Sequence, residues 1–106
     1  MFINTKNKLI WKNGSFEKWD DSNVHVLSHT LHYGTGVFEG VRAYNTSSGP
    51  AIFRLNDHTN RLFSAADKIS IKIPFSEDQL NKAQCDAFDI NKLSEGYIRP
   101  IVYLSL

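Results

Sequence analysis

The sequence has one cysteine, Cys85, in 106 residues, which excludes an internal disulfide and fits a reducing compartment. Neither sign of charge dominates: Lys plus Arg number 12, Asp plus Glu 11, and the net charge is +1. That balance leaves no electrostatic footprint for nucleic acid or for an anionic membrane. No apolar run approaches the roughly 18 residues that a membrane-spanning helix needs. The opening MFINTKNKLIW also lacks the apolar stretch of a signal peptide. The expectation is a soluble, cytoplasmic protein whose partners include neither nucleic acid nor membrane.

What is present is an ordinary globular composition, 42% hydrophobic, 22% charged and 12% aromatic, in a chain long enough for one small domain. In LIWKNGSFEKW, Asn13-Gly14 suits a two-residue hairpin loop and sets Trp11 opposite Phe16. A short strand is expected at VHVL, residues 24–27, followed by a loop. From Val37 the period is two: Phe38, Gly40, Arg42 and Tyr44 share one face, and Val37, Glu39, Val41 and Ala43 the other. NTSSGP turns the chain into a second strand, AIFRL. Asn56 reads as the N-cap of a helix over about residues 57–68, with Leu62, Ala65, Ala66 and Ile69 as its apolar stripe. Ser76 and Gln79 have capping-box spacing ahead of a second helix whose stripe is Leu80, Ala83, Ala87 and Phe88. GYIRPIVYLSL is a final strand, where Pro100 argues for an edge or a bulge. The expected fold class is α+β, a mostly antiparallel sheet with two helices packed on one face. The apolar final strand stops without a polar tail, which suggests a piece of a longer protein.

Three constellations bear on chemistry. GTGVFEG has the spacing G-x-G-x-x-x-G and precedes a strand, so it is not the dinucleotide fingerprint, which follows a strand and opens a helix. Its glycines read as turn and bulge residues, and Gly40, between Phe38 and Arg42, leaves a gap where a ligand can approach the backbone. His25, His29 and His32 raise the question of a zinc triad, but no ligand-spacing motif supports one, and the metal expectation is none. The arginines are more telling. Four stand against eight lysines, and Arg42, Arg61 and Arg99 lie in or beside apolar elements. Arginine at half-buried positions suits bidentate recognition of phosphate or carboxylate. The alternative is internal pairing with Glu39, Asp57 or another acid. Tyr97 with Arg99, and Phe38 with Arg42, each pair an aromatic with a cation on one strand face, a pattern suited to a small amphiphilic anion.

VHVLSHTLHYGTGVFEGVRAY, followed by GPAIFRLNDHTNRL and then YIRP, closely resembles the N-terminal part of branched-chain amino acid aminotransferases. These are pyridoxal-phosphate enzymes of fold type IV, and the resemblance runs from about Trp11 to Leu106. Related D-amino acid aminotransferases and aminodeoxychorismate lyases are less similar around HYG and YIRP. A non-catalytic stand-alone domain is the alternative of another class. The resemblance implies that residues 1–106 form the small N-terminal domain, with the large C-terminal domain absent from this chain. It implies transamination of leucine, isoleucine and valine with 2-oxoglutarate, in a homo-oligomer. Arg61 matches the arginine that holds the cofactor phosphate. Tyr33, Phe38, Gly40, Arg42, Tyr97 and Arg99 match substrate-pocket residues, Tyr33 serving the neighbouring subunit's site and Arg99 receiving the distal carboxylate of glutamate. No catalytic residue is expected in this chain. The family's cofactor-bearing lysine has no counterpart among the eight lysines, so the chain alone is expected to be inactive and not to bind pyridoxal 5'-phosphate.

Overall fold

A computed structural model describes residues 5–106; the first four residues of the opening MFINTKNKLIW lie outside the described residues. The hairpin forms in the expected register. Strands β1 (Leu9–Lys12) and β2 (Ser15–Lys18) set Trp11 opposite Phe16, and Asn13 (φ 51°) and Gly14 (φ 102°) make the turn. The Asn91 side chain docks the hairpin as a strand would. Its Oδ1 accepts from Leu9 N–H at 2.8 Å, and its Nδ2 donates to Leu9 O at 3.0 Å. Trp11 meets Phe75 edge-on, with ring centroids 5.1 Å apart.

The strand expected at residues 24–27 is absent. His25 curls this segment instead: its Nδ1 accepts from Leu27 N–H at 3.0 Å and its carbonyl accepts from Ser28 N–H at 2.9 Å. The segment after it, expected as a loop, contains a short helix, α1 (His29–Tyr33). Thr30 ties α1 to the far end of the chain, donating its hydroxyl to Thr35 O and accepting from Leu104 N–H, both at 2.7 Å.

Two runs each read as one strand, with a bulge residue at Gly40 and an edge or bulge at Pro100, are both broken at those positions. The run from Val37 divides into β3 (Gly36–Phe38) and β4 (Val41–Thr46), and GYIRPIVYLSL divides into β6 (Gly96–Ile98) and β7 (Ile101–Tyr103). Both breaks fall at one level. Pro100 has no N–H for a ladder, and its carbonyl accepts from Glu39 N–H at 3.0 Å. There the chains change partners: β3 pairs with β7, while β4 pairs with β6 and with β5 (Gly49–Ile52). The described residues form three small antiparallel sheets rather than one. The β5 strand starts at Gly49, inside the expected NTSSGP loop, so the turn is Ser47-Ser48 and Pro50 sits on an edge strand.

Helix α2 (Leu55–Lys68) begins earlier than expected, with Arg54 in left-handed conformation (φ 54°) at the N-cap. Asn56 is therefore inside the helix, and its Oδ1 accepts from Asn81 Nδ2 at 2.8 Å. Helix α3 (Glu77–Ile90) has the full capping box: Gln79 N–H donates to Ser76 Oγ, and Ser76 N–H to Gln79 Oε1. The core is Val41 and Ala43 of β4, Leu62 and Ala66 of α2, and Leu80, Ala83 and Phe88 of α3. Ile69 lies outside it, 41% exposed. Thr59 and Gln84 are buried between the helices; the Thr59 hydroxyl donates to Asn81 Oδ1 and accepts from Gln84 Nε2. No helix of the described residues is long and apolar enough to cross a membrane.

Candidate functional site

The strand alternation places Val41 and Ala43 in the core and turns Phe38, Arg42 and Tyr44 outward. Register then assembles the outer face. Arg42 stands directly opposite Tyr97, and Phe38 opposite Ile101. Arg99, expected within a strand, sits at the break between β6 and β7, and its side chain lies back over this face. Its guanidinium carbon is 4.4 Å from the Phe38 ring centroid and 5.5 Å from that of Tyr97, and Nη2 donates to Tyr97 Oη at 3.0 Å. Each such cation–ring contact contributes roughly 0.5–1 kcal/mol at an exposed site. Arg42 makes no ion pair among the described residues.

Gly40 has a function that differs from the open gap expected of it. A Cβ at this position would lie 2.1 Å from Tyr97 Oη and 3.0 Å from its Cζ. The space beside the backbone is filled by the Tyr97 phenol, which in turn meets Arg99. Gly40→Ala is expected to swing the Tyr97 ring away and break the Arg99 hydrogen bond. The ring-proton NMR signals of Tyr97 report this. Unchanged signals would mean the phenol does not rest on Gly40.

Tyr33 is not part of this cluster. It is 73% exposed at the end of α1, and its ring meets that of His29 at a 41° tilt with centroids 4.5 Å apart. The three histidines raised as a metal triad are each engaged locally: His25 with Leu27, His29 Nδ1 with Thr35 Oγ1 at 2.7 Å, and His32 Nε2 with Val26 O at 2.8 Å. Among the described residues, no group of three metal-ligating side chains gathers.

Arg61 is placed differently again. It projects from α2 toward Glu39, which is 5% exposed, and Nε and Nη2 both donate to the Glu39 carboxylate, the latter at 2.7 Å. His58, one turn earlier on α2, contacts Glu39 Oε2 through Nδ1 at 3.2 Å. A buried carboxylate needs such partners. The internal pairing weighed as the alternative is thus realised at Arg61, and Arg54 likewise pairs with Asp57. Arg61 nevertheless remains 70% exposed, with Nη1 outside the pair.

Glu39 and His58 were not assigned a site role on sequence grounds. The available signal was an acid between Val37 and Val41 on an otherwise apolar face. Hydrogen bonding from Arg61, aided by His58 and opposed by burial, holds the Glu39 carboxyl below its ordinary pKa. A carboxyl whose folded pKa is lowered stabilises the fold above its ordinary pKa, about 4.3. That contribution is lost as pH falls through the lowered value. Thermal unfolding followed from pH 5 downward is expected to show this loss, with a shallower slope in Glu39→Gln. Equal slopes would remove the linkage.

Residues 36–106 match the family amino-transferase class IV, and the chain belongs to that family. The branched-chain-amino-acid aminotransferase of Pseudomonas aeruginosa is 50% identical over 103 residues, covering 97% of this chain and 34% of that protein. The enzyme of the same name from Escherichia coli K12 is 42% identical over 99 residues, 93% of this chain and 32% of its own. Among solved structures, the Escherichia coli branched-chain amino acid aminotransferase superposes with a TM-score of 0.91 at 42% identity, over 94% of this chain and 34% of that one. A branched-chain amino acid aminotransferase complexed with N-(5'-phosphopyridoxyl)-L-glutamate, from T.th., gives a TM-score of 0.90 at 45% identity, over 92% of this chain and 33% of that one. The chain spans about a third of the length of these relatives. The α+β fold expected from the sequence is that of the fold-type-IV aminotransferases.

Proposed function

We propose that this chain is the N-terminal small domain of an aminotransferase that exchanges amino groups between leucine, isoleucine or valine and 2-oxoglutarate. The carrying observation is the outer face where the end of β3 meets β4 and β6. Phe38 and Tyr97 offer apolar surface for a branched side chain, and the Arg99 guanidinium over both rings offers donors for a carboxylate. One surface can therefore take either partner of the exchange, with Arg42 supplying further positive charge. Its exposed rings, Phe38 at 61% and Tyr97 at 42%, fit a face that substrate and the rest of a larger protein cover.

Pyridoxal 5'-phosphate is the cofactor of this reading. Its phosphate fits Arg61, whose Nη1 lies outside the Glu39 pair on a side chain that is 70% exposed. When bound, the cofactor supplies the electron sink on which amino transfer depends. This chain's own residues bind and orient: Arg61 the phosphate, Phe38, Tyr97 and Arg99 the substrate side chain, and Tyr33 a second subunit's site in a homo-oligomer. The covalent anchor lysine belongs to a large domain, so the 106 residues alone are expected to transfer no amino group. Arg61→Ala is the direct test, made in a full-length aminotransferase carrying this segment. Its cofactor absorbance should be lost on dialysis under conditions where the unaltered protein keeps it, and retention in both would remove Arg61 from the phosphate site.

A further inference from the structure

Glu39 is an acid buried on an apolar strand face, and it is held from several directions. Arg61 donates to it from Nε and Nη2, His58 contacts it through Nδ1, and its backbone N–H is fixed on Pro100 O. His58 and Arg61 stand three residues apart on α2, so both side chains reach the same carboxylate. The arrangement is lopsided: the acid is 5% exposed while the arginine is 70% exposed. An arginine so exposed ordinarily samples many rotamers. This one is clamped along a single edge, at the point where β3 gives way to β4, and Nη1 is left outside the clamp.

We propose that Glu39 is a positioning residue, which aims the free edge of Arg61 at an arriving phosphate group, and that His58 holds Glu39 in line. The inference rests on the reading of Arg61 as the cofactor-phosphate contact. Two effects of Glu39 oppose each other. Its negative charge repels a phosphate, an effect that the Arg61 guanidinium paired with that carboxylate offsets. Its clamp removes rotamer freedom from a long side chain, which is worth up to about thirtyfold. The sign of the change in Glu39→Gln reads which effect prevails: weaker phosphate binding is the mark of positioning, tighter binding that of repulsion.

The test is a titration of inorganic phosphate into the cofactor-free form of a full-length aminotransferase carrying this segment, at 0.15 M salt, followed through the side-chain nitrogen NMR signals of Arg61. Glu39→Gln should move the Nε signal toward that of a free arginine and weaken phosphate binding about fivefold. Arg61→Lys keeps the charge but lacks the fork, so adding Glu39→Gln in that background should cost nothing more. His58→Ala, which leaves Glu39 in place, should weaken binding about twofold. It carries the test if Glu39→Gln does not fold. Phosphate binding in Glu39→Gln as tight as in the unaltered chain, or an equal loss in the Arg61→Lys background, overturns the positioning role. So does unchanged binding in His58→Ala. If Arg61→Ala binds phosphate as the unaltered chain does, the phosphate reading of Arg61 fails and the proposal falls with it. If Arg61→Ala weakens binding and Glu39→Gln does not, only the positioning role is lost.

Discussion

Arg99→Ala is expected to slow turnover with glutamate about a hundredfold, while the half-reaction with leucine falls only a fewfold. Removing one partner of a hydrogen-bonded charge pair at a desolvated site costs roughly 2–5 kcal/mol, and a hundredfold corresponds to about 2.7 kcal/mol. Leucine brings no distal carboxylate, so it loses only the apolar stem of Arg99 and the order this side chain lends to Phe38 and Tyr97. Single-turnover rates for the two amino acids, measured in a full-length aminotransferase carrying this segment, separate the cases. Equal losses for both would leave Arg99 a packing residue of the aromatic face.

Leu62→Ala should remove about 3 kcal/mol of folding stability, within the roughly 2–5 kcal/mol typical of such core truncations. Leu62 is 1% exposed, and three of the other six buried hydrophobic residues, Ala43, Ala66 and Ala83, are too small to fill a cavity. A domain of this size holds roughly 5–15 kcal/mol in all, so this one change takes a large share. Urea denaturation at neutral pH measures it through the midpoint at constant slope. A loss below about 1 kcal/mol would mean that α2 does not seal the core at this position.

The elements readable in advance are those whose chemistry is local. Asn13-Gly14 supplies its own turn, and Ser76 with Gln79 closes its own capping box, so both form as the residues alone suggest. The same holds for the outward face of β4, because strand alternation needs no partner to define it. The N-terminus of α2 was legible only approximately. Asn56 has a good cap side chain, yet that side chain is taken by Asn81 of α3, and the helix starts at Leu55 behind a left-handed Arg54.

Residue types and their period determined that this chain is an α+β layer, with Phe38, Arg42 and Tyr97 on exposed strand faces. They also brought arginines close to aromatics. Tertiary structure alone decided that the strands change partners at Gly40 and Pro100, because that depends on Pro100 and Glu39 meeting across two distant segments. It decided that the space at Gly40 holds the Tyr97 ring, and that Arg61 is gripped by an acid 22 residues away. A periodic pattern fixes direction within one element, whereas a contact between elements depends on how several of them pack at once.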